Sequence, residues 1–360
     1  MSLLAVKNLE VSFHSYAGEV QAVRGISFSL EKNETLAIVG ESGCGKSVTA
    51  KALMGLIQTP PGEVKSSSRI EFDGRNILEY SQAEWSDYCG EECSIIFQDA
   101  MAALNPTMNI GKQIMENLLN HRKISKAAAK EKAIQMLNLV GIPDSERSMR
   151  KYPHELSGGQ RQRIMIAIAL CCDPKILIAD EPTTALDVTI QSQIMALIKS
   201  LQHQFGTSVI LITHDLGVVA NAADKIVVMY CGKIVERGTC HEIFYQPRHP
   251  YTWALLKAVP RLDQDDDKNK LYAIKGTPPN LIQPPKGCPF AQRCPYCMNI
   301  CLEQYGPTYE FANGHEASCW LHHPNARIDG VPFEIGGGKI ISTATEADAT
   351  LKGGDSIGNI

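Results

Sequence analysis

The stretch Gly40–Ser47, GESGCGKS, restricts what this chain can fold into more than any other. It follows the apolar run LAIV, opens a helical pattern at Lys46, and fits G-x-x-x-x-G-K-[ST]. Glycines let the backbone curl until successive N–H groups point at one phosphate, and the helix N-terminus adds its positive end. Such a loop needs a buried strand before it and a helix after it. It therefore predicts an α/β fold with a largely parallel sheet. Lys46 is expected to meet the β- and γ-phosphates of ATP, and the Ser47 hydroxyl to ligate Mg2+. Ser42, Gly43, Cys44, Gly45 and Val48 are expected to be neighbouring nucleotide-binding positions. Cys44 reads first as a small filler. A thiol at a helix N-terminus can also have a depressed pKa, and on that reading Cys44 would be a target for thiol reagents.

Further motifs agree with the loop. LLAVKNLEVSF and VQAVRGISFSL alternate like strands, and residues 98–172 carry a run of helical patterns. KILIADEP ends a buried strand in Asp180 and Glu181; SVILITH ends another in His214. Ligands collect at the carboxyl ends of parallel strands. There Asp180 is expected to hold Mg2+, Glu181 to polarise the attacking water, and His214 to contact the γ-phosphate.

Totals bound the setting. The chain has 360 residues, is 44% hydrophobic and carries a net charge of −4, which gives nucleic acid no global basic field. The N-terminus lacks the cationic start and apolar run of a signal peptide, and no window of about 18 residues is apolar enough to span a bilayer. A cytoplasmic protein is expected. In that reducing setting clustered cysteines read as ligands or free thiols before disulfides.

LSGGQ, Leu156–Gln160, decides among nucleotide hydrolases. With the other motifs, the chain resembles the ATP-binding cassette (ABC) family over roughly residues 3–260. The resemblance implies a mixed β subdomain, a parallel-sheet RecA-like core and an inserted α-helical subdomain, within residues 1–262. It makes Gln98 the Q-loop glutamine and a further Mg2+ contact. It makes Ser157, Gly158, Gly159 and Gln160 the signature that contacts ATP held by a partner subunit, and Ala185–Asp187 the D-loop. It makes Glu181 and His214 catalytic. Phe13 is the expected adenine-stacking aromatic, with Tyr16 the runner-up. The implied cycle is a head-to-tail dimer that closes on ATP and opens after hydrolysis.

FQDAMAALNP and RHPYT are similar to stretches of the oligopeptide and dipeptide importers within the peptide/nickel subfamily, apart from Ala100 where proline is usual. The resemblance implies a D-type subunit paired with a second, different ATPase, two membrane permeases near residues 98–119 and, indirectly, an extracytoplasmic peptide-binding protein. The expected location is the cytoplasmic face of the membrane. Nickel or antimicrobial peptides are alternative cargoes. A soluble ATPase acting on nucleic acid or ribosomes fits less well, because Lys46 to Ser157 is short and there is one cassette.

After a charged linker at residues 263–275, residues 276–330 are rich in Pro, Cys and His. Cys288, Cys294, Cys301 and Cys319 resemble the importer tail associated with a [4Fe–4S] cluster. Structural zinc through Cys297, His315, His322 or His323, and free thiols, stay open as alternatives. Residues 331–360 are expected to be a disordered tail.

Overall fold

The computed structural model describes residues 2–184, 186–259, 273–326 and 329–342. Ala185 of the expected D-loop, most of the charged linker, and the tail from residue 343 lie outside the described residues. Strands β1 (Leu4–Ser15) and β2 (Gly18–Leu30) form a long hairpin. β3 (Thr35–Val39) leads through the phosphate loop into α1 (Lys46–Leu53). β4 (Gly62–Val64), β5 (Arg69–Phe72) and β6 (Arg75–Asn76) return to the hairpin and complete an antiparallel sheet. After α2 (Gln82–Asp87), β7 (Cys93–Ile96) enters a second sheet.

The helical stretch follows: α3 (Ala100–Ala103), α4 (Ile110–His121), α5 (Lys126–Leu139), α6 (Ser145–Ser148) and α7 (Gly158–Leu170). Its helices start where the sequence provides caps: Asn109, Ser125 and Ser157 each accept a backbone N–H of the first turn. Buried Ile110, Ile114 and Leu118 recur every four residues and place one stripe of α4 in the core. The chain then alternates β8 (Ile176–Asp180), α8 (Val188–Phe205), β9 (Ser208–Thr213), α9 (Leu216–Ala222) and β10 (Lys225–Tyr230).

β10, β3, β9, β8 and β7 lie side by side in that order, all parallel. These strands are predominantly apolar, as strands covered on both faces require. In β3, Ala37 and Val39 join the core under the helical stretch, while Leu36 and Ile38 join the core under the antiparallel sheet. Parallel order brings the ends of β3, β8 and β9 together, and with them the phosphate loop, Asp180 and His214.

β11 (Lys233–Thr239) turns antiparallel against β10. Beyond α10 (Cys240–Tyr245), α11 (Pro250–Ala258) and α12 (Asn299–Glu303), the short strands β12 (Thr308–Glu310) and β13 (Glu316–Ser318) extend the same sheet, with β13 pairing β11. The Cys-rich module is thus continuous with the core sheet. The expectation of a disordered tail over 331–360 is corrected for its described part alone: β14 (Lys339–Ser342) pairs with β12, which offers it an open edge, while residues 343–360 lie outside the described residues.

Two buried histidines pin this junction. His249 caps α11, and its Nδ1 accepts the Tyr251 N–H at 3.1 Å. The His322 Nε2–H donates to the Arg248 carbonyl at 2.7 Å, while its Nδ1 accepts the Gly336 N–H. Burial pushes His249 down to about 3, with His322 adding repulsion, and burial pushes His322 down to about 4. Both are therefore neutral in the folded chain where the unfolded chain would protonate them. Their folded pKa values are depressed, so stability is complete above the ordinary imidazole value near 6.5 and falls as pH drops below it. Lowering pH from 7 to 5 is expected to cost about 2 kcal/mol per histidine. His249→Asn keeps a capping side chain but cannot titrate, so melting temperature against pH should become shallower. An unchanged slope would rule out this origin.

Candidate active site

The loop curls where its glycines permit it. Gly45 has φ +103°, and a Cβ there would run into the Ala22 carbonyl; a Cβ on Gly40, φ +154°, would run into that of Met229. Only glycine lets the loop lie this close to its neighbours. Lys46 is buried at 4% exposure, and its ammonium donates to the carbonyls of Gly40 at 2.7 Å and Glu41 at 3.0 Å. Ser42 and Gly43 are exposed, while Val48 is half-buried on α1. Cys44 is buried, and burial raises its thiol pKa despite the nearby Lys46. The reading of Cys44 as a depressed, reactive thiol is corrected; it is a filler between the loop and the core.

Ser47 Oγ donates to Asp180 Oδ1 at 3.0 Å. Burial raises the Asp180 pKa, with neighbouring Glu181 adding to the rise and Ser47 and Lys46 opposing it. A carboxylate in that state gains from a nearby cation. Mg2+ sites of this kind need only one or two protein oxygens, with phosphates and water supplying the rest. Ser47 and Asp180 therefore fit such an ion.

Glu181 is the hub of a second group. It sits at φ 47°, an uncommon backbone state for a non-glycine residue, which marks a constrained position. Its backbone N–H donates to Ile212 O at 2.8 Å, tying it to β9. Its Oε2 accepts from Gln98 Nε2 at 2.9 Å and from the Thr184 hydroxyl at 3.0 Å; its Oε1 meets His214 Nδ1 at 3.2 Å. Gln98 thus sits on Glu181 and not on the Ser47–Asp180 pair. The Thr184 contact went unread in the sequence, where a threonine after DEP carries no distinguishing signal.

Other expected residues stand apart. Ser157 and Gln160 close a reciprocal cap at the start of α7. A Cβ on Gly158 would touch Leu186 at 3.6 Å, and one on Gly159 would touch Ile190 at 3.0 Å. The signature thus rests on the start of α8, where Asp187 accepts the Ile190 N–H at 2.9 Å. Among the described residues no hydrogen bond or ion pair joins it to the phosphate loop of the same chain. Phe13 is half-buried and pairs with Val20 and Gly62, while Tyr16 is fully exposed.

The metal readings of the C-terminal module are overturned. Among the described residues, no group of three or more His, Cys, Asp or Glu side chains is arranged to hold a metal ion. Cys288, Cys294, Cys301 and Cys319 do line one cavity, but its volume is about 20 Å³, room for about one water. Burial pushes Cys288 and Cys294 up to about 12, and Cys319 well above its ordinary value, so they stand as neutral thiols. The histidines are spent: His315 is bonded to Glu236 at 2.8 Å, His322 to Arg248, and His323 to Asn325. Neither the [4Fe–4S] cluster nor zinc is supported.

Fold and site together define a P-loop ATPase of the ATP-binding cassette class. The ABC transporter family model matches residues 23–184, and the model for the oligopeptide/dipeptide transporter C-terminal region matches residues 235–301. A dimeric cassette bound to ADP and Pi superposes with a TM-score of 0.59 over 66% of this chain and 98% of its own, at 24% identity. The cbiO1 chain of Clostridium perfringens gives 0.58 over 68% and 90%, at 30% identity. The oligopeptide transport ATP-binding protein OppD of Bacillus subtilis is 56% identical over 90% of both chains. The dipeptide transport ATP-binding protein DppD of the same organism is 54% identical over 90% of this chain and 96% of its own. The chain belongs to this family of peptide-transporter ATP-binding proteins. Among the described residues no helix is long and apolar enough to cross a membrane.

Proposed function

We propose that this chain is the ATP-hydrolysing subunit of a transporter that imports oligopeptides or dipeptides. The observation that carries the cargo reading is the 56% identity to an oligopeptide transport protein, sustained over 90% of both chains and so across cassette and C-terminal module alike. For the chemistry, the carrying observation is Glu181 held between Gln98 and His214 beside the phosphate loop.

Lys46 exchanges its loop carbonyls for the β- and γ-phosphates. Ser47 and Asp180 would hold Mg2+, which when bound would supply charge neutralisation at the phosphates. Glu181 accepts a proton from the attacking water through a carboxylate oxygen, and Gln98 and His214 fix its orientation. Phe13 stacks on adenine. Ser157–Gln160 and Asp187 face outward to serve the ATP of a second ATPase subunit, so each nucleotide joins two chains. Closure on ATP and opening after hydrolysis drive two permeases on the cytoplasmic face of the membrane. A peptide-binding protein delivers cargo from outside.

The test is uptake by proteoliposomes holding this chain, its partner ATPase and the permeases, with the binding protein present. ATP-dependent entry of a labelled oligopeptide or dipeptide is expected. Nickel entry without peptide entry would overturn the cargo reading.

A further inference from the structure

We infer that Arg293 is a positioning residue for the phosphate loop, which makes the C-terminal module part of the ATP site. Arg293 ends a short turn between Cys288 and Cys294, 252 residues beyond Glu41 in the chain. Its Nη1 donates to Glu41 Oε2 at 2.5 Å and its Nη2 to Glu41 Oε1 at 2.9 Å, a bidentate fork. The remaining N–H groups go to the Tyr230 hydroxyl at 2.9 Å, the Lys275 carbonyl at 2.9 Å and the Ile274 carbonyl at 3.2 Å. A guanidinium has five N–H donors, and here every one is used. The side chain is 4% exposed, so the charge is held by these partners and not by water.

Glu41 lies inside the phosphate loop and is gripped at three points. Its carboxylate takes the Arg293 fork. Its backbone N–H donates to the hydroxyl of buried Tyr251, on α11, at 2.8 Å. Its carbonyl accepts from Lys46 at 3.0 Å. Lys46 must leave that carbonyl to meet phosphate. The fork and Tyr251 then keep the loop in its curled form, so less ordering falls on the binding step. The module touches the loop at a second place: Pro278, Pro279 and Leu281 line a cavity of about 20 Å³ with Ser42, Gly43 and Cys44. The Leu281 carbonyl also accepts from Gln21 N–H on β2 at 2.9 Å.

The inference rests on ATP binding by the cassette and not on the cargo, so peptide uptake results neither support nor sink it. A loop-positioning role predicts weaker ATP binding with turnover at saturating ATP retained. The affinity of a fluorescent ATP analogue is measured on the full-length chain, and KM and kcat on the assembled transporter. Arg293→Ala should raise the dissociation constant about tenfold, the scale of one charge-assisted hydrogen bond. Glu41→Gln breaks the fork from the other side and leaves the module's sequence intact, so it separates loop positioning from module unfolding. It should weaken binding equally, and the double variant should be no worse than either single one. Arg293→Lys, which keeps charge but not the fork, should fall between. Additive losses, an effect of Arg293→Ala without one of Glu41→Gln, or a fall in kcat at unchanged affinity would each overturn the inference.

Discussion

A Glu181→Gln chain is expected to bind ATP as the parent does and to hydrolyse it about 10²–10⁴-fold more slowly, the range a positioned general base contributes. The substitution keeps the size of the side chain and an oxygen for the Thr184 hydroxyl. What it removes is the ability to accept a proton. The surrounding geometry serves that ability: an amide donor at 2.9 Å and an imidazole at 3.2 Å hold the two carboxylate oxygens. A backbone at φ 47° marks Glu181, the residue just past β8, as a constrained position. Steady-state phosphate release, read beside the affinity for a fluorescent ATP analogue, checks both halves. Parental turnover would remove Glu181 from the chemistry. Equal losses in affinity and turnover would make it a structural residue.

Sequence and structure agree where chemistry depends on near neighbours. GESGCGKS could be read because curl, charge and helix start all lie within one loop, and the backbone glycines bear that geometry. The strands KILIAD and SVILIT could be read as doubly covered because nothing polar interrupts them, and both faces are indeed packed. Distant segments could be brought together only where a motif marks both partners, as with Ser47 and Asp180; unmarked long-range contacts could not be read. Nothing local to Arg293 names Glu41 as its partner, because pairing across 252 residues is set by how β11 and β13 join the module to the sheet. The metal reading failed for the same reason. Cysteine spacing says which thiols are near in sequence, but not that burial keeps them neutral or that His315 is already committed to Glu236. Residues 339–342 read as tail because a short strand with no alternation gains its identity only from the open edge of β12.

Lys46→Ala should act on binding, in contrast to Glu181→Gln. Here the expected loss is roughly 100-fold in ATP affinity, the scale of charge-assisted hydrogen bonds to phosphate. The ammonium donates to the carbonyls of Gly40 and Glu41 at 2.7 and 3.0 Å. Those bonds spare a buried charge the cost of having no partner, and they also compete with the nucleotide. Binding therefore reads as the exchange of two carbonyls for phosphate oxygens that carry full negative charge, and the charge difference favours phosphate. Alanine removes the exchange altogether and also opens a void along the lysine stem. Lys46→Met fills that void without the charge, so it separates packing from electrostatics. If methionine and alanine weaken binding alike, the ammonium carries the effect. If methionine binds ATP as the parent does, the loop amides and helix start hold the phosphates alone, and the role given to Lys46 is wrong.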